Sequence, residues 1–393
     1  MQNTGYKVLM KAFSKSQLLV CILCVLCASV VNSYPQNWKT IRAGIEYAEV
    51  TKEISGLKVN MNLLRLDLTK VRLNIVHAMD AAIGTEKTSS IATRHGAFAA
   101  INAGFFRLDT SQWAGDPAGT LQIDGRLLSE PTNDHIELLI NNGKRKTDVF
   151  IARPWFTEDV SFGGEEFEIK GINRELKTDD VVVYTPEFHA TTLTKADALE
   201  VVITGFAISG IVKDLGNSVI PRNGYVVAAS GTARERLLAL ANKAKRVSII
   251  RSGTGLPEPS GDLMMPKSDW DIVAGVPQLI KNGKIDITWQ QEKSSKSFVE
   301  TRHPRTAVAK LKDGKFLMIT VDGRTESSGG IGLQDLAEYL MSLGATDAMN
   351  LDGGGSTTMW VNGKVVNHPS DKEGERKVSD AILVTPRVSR KKN

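Results

Sequence analysis

The chain has 393 residues, of which 41% are hydrophobic, 24% charged and 6% aromatic. This composition supplies a sizeable core and excludes collagen-like, mucin-like and wholly disordered readings. Lys plus Arg number 49 against 44 Asp plus Glu, a formal net charge of +5. The cations are spread along the chain rather than gathered on one face, which argues against nucleic acid as a partner.

Residues 1–33 read as a signal peptide. Lys7, Lys11 and Lys15 precede an apolar run over 18–31, and Val31 and Ser33 are small enough for positions −3 and −1 of a cleavage site before Tyr34. The run is short for a transmembrane helix, an uncleaved anchor being the alternative. All three cysteines, Cys21, Cys24 and Cys27, fall inside it, and none has the small residue before it that a lipoprotein signal wants. A chain starting at Tyr34 would therefore hold together by its core without disulfides. With no Asn-x-Ser/Thr acceptor, these features predict a secreted or periplasmic bacterial protein with no membrane partner after cleavage.

Residues 34–80 read as several strands leading into the domain. Beyond them, Asn-Gly or Asp-Gly pairs at 124, 142, 223, 282, 313, 322 and 362 are hairpin candidates. Runs over 181–184, 199–208, 316–321 and 381–384 are β-branched or aromatic and of strand length. Helices are few: 89–95 stopped by Gly96, 232–243, and a third marked by Leu333, Leu336, Leu340 and Leu343 with Gly344 as its stop. The fold class expected is α+β, a strand-rich single domain over 34–387 with mixed sheets and a few packed helices. A break near residue 215 is the alternative parse, and 388–393 form a basic tail.

Four segments depart from what a packed core requires. Asn102 closes an apolar strand and is followed by Ala103 and Gly104; a turn Asn bonding its own backbone is the plain explanation. Arg302, His303 and Arg305 stand before the apolar strand 307–309, where arginines suit a phosphate or carboxylate clamp and a solvated strand entry is equally natural. Asp322, Gly323 and Arg324 end another apolar strand, and the Gly-rich stretch 327–332 opens the third helix. Asp352, Gly353, Gly354, Gly355, Ser356 and Thr357 are hardest to explain structurally, because three successive glycines are costly unless backbone must approach something closely.

No G-x-S-x-G elbow, Walker loop, H-E-x-x-H or dinucleotide fingerprint is present. The six histidines, His77, His95, His135, His189, His303 and His368, show no metal-ligand spacing. No cofactor and no metal are expected, with an Asp-rich Ca²⁺ site left open.

In order along the chain, INAGFF, GVPQLI, HPRTAVA, VDGR, LDGGGST and NHPSD before Gly374-Glu375-Arg376 resemble the phosphodiester glycosidase family. That family includes the lysosomal uncovering enzyme and many secreted bacterial proteins associated with exopolysaccharide. The likeness runs from about Trp38 to Val384; at Ala274-Gly275-Val276-Pro277 the family more often has a run of glycines before the proline. The resemblance implies hydrolysis of the bond between a sugar's anomeric carbon and a phosphodiester, with a sugar-phosphodiester or phosphorylated polysaccharide as substrate. The leaving phosphomonoester has a second pKa of about 6, so departure needs charge stabilisation more than a strong general acid. On this basis Arg305, with Arg324 or His303, is expected to hold the phosphate, helped by backbone N–H groups of Gly353, Gly354, Gly355 and Ser356. Asp352 or Asp322 is expected to activate water or support the oxocarbenium-like transition state. Asn102, Thr357 and Asp371 are candidates for sugar hydroxyls or for positioning these groups. A non-catalytic protein binding surface glycans or anionic polymers, and a glycosyl-phosphate transferase, are the competing readings.

Overall fold

The computed structural model describes residues 37–257, 263–264 and 270–387; the expected signal segment and the 388–393 tail lie outside them. Among the described residues, no helix is long and apolar enough to cross a membrane.

An eight-stranded antiparallel sheet forms the centre. Its order in space is Lys39–Arg42, Ile45–Ile54, Leu57–Leu66, Phe316–Val321, Arg305–Leu311, Ala345–Asn350, Gln278–Lys281 and Lys284–Ile285. The first three of the expected lead-in strands thus belong to the main sheet, with Leu66 opposite Phe316 and Met61 opposite Val321, while Val71–His77 joins another sheet. Side chains alternate between faces along each strand. Met61, Leu63, Ala307, Ala309, Leu317 and Ile319 turn to one side, where helix Leu333–Ser342 covers them with Leu333, Leu336, Ala337 and Leu340. The leucine spacing read from sequence is this buried face, and truncating fully buried Leu336 to Ala would cost about 2–5 kcal/mol.

Leu64, Leu66, Val308, Phe316, Met318 and Met349 turn to the other side. There they meet two five-stranded sheets. One runs Lys364–Val365, Met359–Val361, Ala99–Asn102, Asp380–Pro386, Val71–His77; the other runs Asp148–Ala152, Ile136–Asn141, Asp271–Gly275, Leu121–Ile123, Arg126–Ser129. Because both faces of the central strands are buried, they read as nearly unbroken apolar runs. Between Ala152 and Asp271 the chain builds a separate layer with its own core, in which Val160, Phe162, Phe167, Val183 and Val201 pack against Leu237 and Leu240 of helix Ala233–Lys243. Leu215 lies in a connection between two strands of one sheet in that layer.

Asp124, Asn282 and Asn362 have φ of 48°, 50° and 45°, and the following glycines 75°, 72° and 91°, so these pairs make the expected two-residue hairpin turns. Two pairs do not. Asn223 precedes a strand that begins at Gly224 and pairs with other partners, and Asp322-Gly323 leads into a long loop. The apolar run 199–208 is two strands, Leu199–Thr204 and Ala207–Lys213, broken where Gly205 takes φ 61°. A short helix, Lys296–Glu300, was not foreseen; its start is marked by Ser295, whose hydroxyl accepts from the Phe298 N–H at 3.0 Å.

Candidate active site

Three neighbouring strands of the central sheet open at one edge. Arg305 pairs with Val321, and Ala307 with Asn350, so the segments 302–304, 322–324 and 351–356 emerge side by side. Strand Ala99–Asn102 reaches the same place from the second sheet. The Asp352 N–H donates to the Ala103 carbonyl at 2.9 Å, and the Asn102 Nδ2 donates to the Asp352 carbonyl at 2.7 Å. The Asn102 Oδ1 accepts from the Thr306 hydroxyl at 2.7 Å and from the Thr358 N–H at 3.1 Å. Asn102 is therefore a buried clasp between the two sheets, with its oxygen accepting twice and one amide N–H engaged; of its two expected uses the geometry fits positioning.

The glycine run is a matter of close approach. A Cβ on Gly353 would stand 2.7 Å from the Pro304 carbonyl oxygen, and one on Gly355 2.1 Å from both Arg376 Nη2 and Asp371 Oδ1. Residues Gly354–Ser356 form a single 3-10 turn. The N–H groups of Gly353, Gly354 and Ser356 donate to Asp352 Oδ1, the Pro304 carbonyl and the Gly353 carbonyl respectively. The turn therefore offers fewer donors to an anion than its composition suggests, and positive charge there comes from guanidinium groups.

Two of those lie over the turn. Arg324, exposed and with φ 61°, places its Nη2 3.2 Å from where a Cβ on Gly354 would be, and 3.1 Å from His303 Nδ1. Burial and the nearby Arg305 and Arg324 charges lower the His303 pKa, so the ring is a neutral partner for the guanidinium at neutral pH. Arg376 lies against Gly355, held by both oxygens of Asp371 at 2.7 and 2.9 Å. Asp371 is thus an orienting group for a cation that the sequence reading did not single out, although the two sit five residues apart on one loop.

Arg305 corrects the expectation of a phosphate clamp. Its side chain is 1% exposed and donates to the carbonyls of Phe298, Thr301 and Ile331 at 2.6, 3.0 and 3.3 Å, with the guanidinium 4.8 Å from the Phe298 ring centre. Burial, with the Arg324 charge, lowers its pKa to about 10. A cation so engaged ties the short helix to the sheet. Sequence could not distinguish an arginine entering a strand from one reaching a ligand.

The two carboxylates also separate. Asp322 is 1% exposed; its Oδ1 accepts the His368 N–H at 3.0 Å and its Oδ2 stands 3.3 Å from His368 Nδ1. It anchors the 367–371 loop, and burial raises its pKa. Asp352 keeps partial exposure. Burial raises its pKa to about 6, opposed by the Ser356 hydroxyl, the Gly353 N–H and the Arg376 charge and reinforced by Asp380. Ser356 and Thr357 are themselves buried, as is Asn367, which accepts from the Met359 N–H and donates to the Thr357 carbonyl. Thr357 therefore does not line the open side of the turn.

Asp352, Arg324, His303, Arg376 and Asp371 form one partly exposed group around Gly353–Gly355, while Asn102, Asp322 and Arg305 are its buried supports. Among the described residues no cluster of three or more His, Cys, Asp or Glu is arranged to hold a metal ion.

Residues 197–385 match the family model described as phosphodiester glycosidase, a stretch that includes every site residue above except Asn102. The N-acetylglucosamine-1-phosphodiester alpha-N-acetylglucosaminidase of Bos taurus is 38% identical over 109 residues, covering 25% of this chain and 20% of that protein. That of Mus musculus is 31% identical over 166 residues, covering 40% and 30%. The chain thus spans less than a third of the length of these curated relatives. A hypothetical protein from Synechocystis shares the fold, with a TM-score of 0.74 and 22% identity over 90% of this chain and 64% of that one. The turn, its flanking residues and the three strands of the central sheet that bear them all lie inside residues 197–385, the stretch that matches the phosphodiester glycosidase family model.

Proposed function

We propose that the protein hydrolyses the bond between the anomeric carbon of a sugar and a phosphodiester, releasing sugar and a phosphomonoester. The observation that carries this reading is the convergence of Arg324 and Arg376 on Gly354 and Gly355, beside Asp352, which retains partial exposure where Asp322 is buried and which, unlike Asp371, is not paired to a guanidinium. Two guanidinium groups over a glycine turn suit a phosphate, which accepts paired N–H donors. They also stabilise the charge that builds on the leaving phosphate. Asp352, ionised above about pH 6, faces the other half of the problem: it activates water or stabilises the oxocarbenium-like carbon. Asp322 and Arg305 act only by holding loops. The names of the curated relatives support a sugar-1-phosphodiester as the substrate class. A phosphorylated polysaccharide met outside the cytoplasm is the natural substrate we infer from the signal-like first 33 residues.

The test is incubation of the purified protein with sugar-1-phosphodiesters, matching simple glycosides and sugar-free phosphodiesters, followed by ³¹P and ¹H NMR. Cleavage confined to the first class is expected. Saturable binding without product would replace this reading with a glycan-binding role, and products carrying an added acceptor alcohol with a glycosyl transferase.

A further inference from the structure

Behind the site lies a pair of titratable residues that no step above uses. His77 and Asp380 are directly opposite each other in adjacent antiparallel strands, which puts their side chains on the same face of the sheet. Each is 1% exposed. His77 Nδ1 stands 3.0 Å from the Ala78 carbonyl oxygen, and Nε2 stands 3.2 Å from that of Gly115. A neutral imidazole carries one N–H and would set a lone pair against one of these oxygens; only the doubly protonated ring satisfies both. Asp380 supplies the opposite charge. Its Oδ1 accepts the Gly104 N–H at 2.6 Å and its Oδ2 the Ser379 hydroxyl at 2.7 Å, while its backbone carbonyl accepts the Ala103 N–H at 3.2 Å.

Asp380 thus holds both N–H groups of the turn that follows Asn102. That turn holds Asp352 at both ends of its backbone, by the Ala103 carbonyl and the Asn102 amide. We propose that His77 is doubly protonated opposite an ionised Asp380, the two forming a buried pair of opposite charges without a direct hydrogen bond, and that Asp380 is a positioning residue that holds Asp352 through the 102–104 turn. Burial, the largest influence on both, draws them toward their neutral forms against their mutual attraction; the case for the charged pair is the geometry, two carbonyl oxygens facing the ring nitrogens and two donors on the carboxylate. The charged groups acting on His77 are Asp380 and Asp80, and His77 lines a cavity of about 410 Å³ together with Asp80, His95, Asp124, Arg126, Glu187 and Asp271. Those acting on Asp352 are Asp380 and Arg376.

The consequence for turnover rests on the role given to Asp352 under Proposed function; the charged pair and the hold of Asp380 on Asp352 do not. In the unaltered protein, ¹⁵N NMR of the His77 ring is expected to show both nitrogens protonated at pH 7, and a singly protonated ring would overturn the proposal. In Asp380→Asn, the Asp352 carboxyl, followed by ¹³C NMR and assigned by its loss in Asp352→Asn, is expected to titrate about one unit lower. kcat is expected to fall about 10-fold with KM within about twofold, its pH midpoint moving with the carboxyl. An unmoved Asp352 titration in a folded variant overturns the proposal. If the carboxyl moves and the kcat profile does not, the pair stands and the catalytic reading of Asp352 falls. If Asp380→Asn does not fold, the ring measurement decides alone.

Discussion

The carboxylate of Asp371 holds the guanidinium of Arg376 by two hydrogen bonds, and together they occupy the space that a side chain on Gly355 would need. Gly355→Ala must displace one or the other, because the new methyl would sit 2.1 Å from both. We expect kcat/KM to fall by about 100-fold or more, with little change in thermal midpoint. Arg376→Lys keeps the charge and loses the paired geometry, and steady-state kinetics should place it between the parent and Gly355→Ala.

Asp352 and Asp322 should separate on replacement by Asn. For Asp352→Asn the expected outcome is a loss of about 1000-fold in kcat with an unaltered circular dichroism spectrum. Asp322→Asn removes the anchor of His368 and should cost stability and a smaller part of kcat. As a base, Asp352 works only when ionised, so parental kcat should rise with pH through about 6 and level off above. An activity that is highest well below pH 5 would assign the proton donor's role to this group instead.

Arg305→Met should unfold more easily rather than turn over more slowly per folded molecule. It strips the Phe298, Thr301 and Ile331 carbonyls of their donor, a loss of about 3 kcal/mol, readable as a lower denaturant midpoint. Retained kcat in the remaining folded fraction is the expected companion result.

Glu137 is 1% exposed, and burial raises its pKa to about 8. The folded state holds this proton more tightly than the unfolded chain does, so the group is harmless below about pH 4.5 and increasingly costly as pH rises toward 8. Glu137→Gln should be neutral in urea melts at pH 4.5 and stabilising at pH 8 by about 4 kcal/mol.

Much of the architecture was legible because its signals are local. The leucine spacing at 333, 336 and 340 is the buried stripe of a helix, and the Asp-Gly and Asn-Gly pairs at 124, 282 and 362 make the turns their left-handed conformations require. The LDGGGST segment was readable as a site because three glycines have few purely structural uses. What stayed hidden depended on partners distant in sequence. Nothing around Arg305 tells that its carbonyl partners lie in and just after the short helix before it and in a loop after it. Arg376 shows its importance only through Asp371 and Gly355, and Asp380 only through Gly104. The one local hint for Asp380 is an acid opening an otherwise apolar strand, the mirror image of Asp322 closing one.

The hydrogen bond from Asn102 to Asp352 joins residues 250 positions apart, and that from Gly104 to Asp380 spans 276. A chain wired this way gains little from its early segments alone: Leu57–Leu66 has no inner neighbour until Phe316–Val321 exists, and Val71–His77 waits for Asp380–Pro386. Such long closures slow folding. They also set its order, since Asp352 acquires its fixed place only when Asp380–Pro386 slides in beside Val71–His77. A truncation of even the final strand should therefore leave an inactive chain rather than a smaller enzyme.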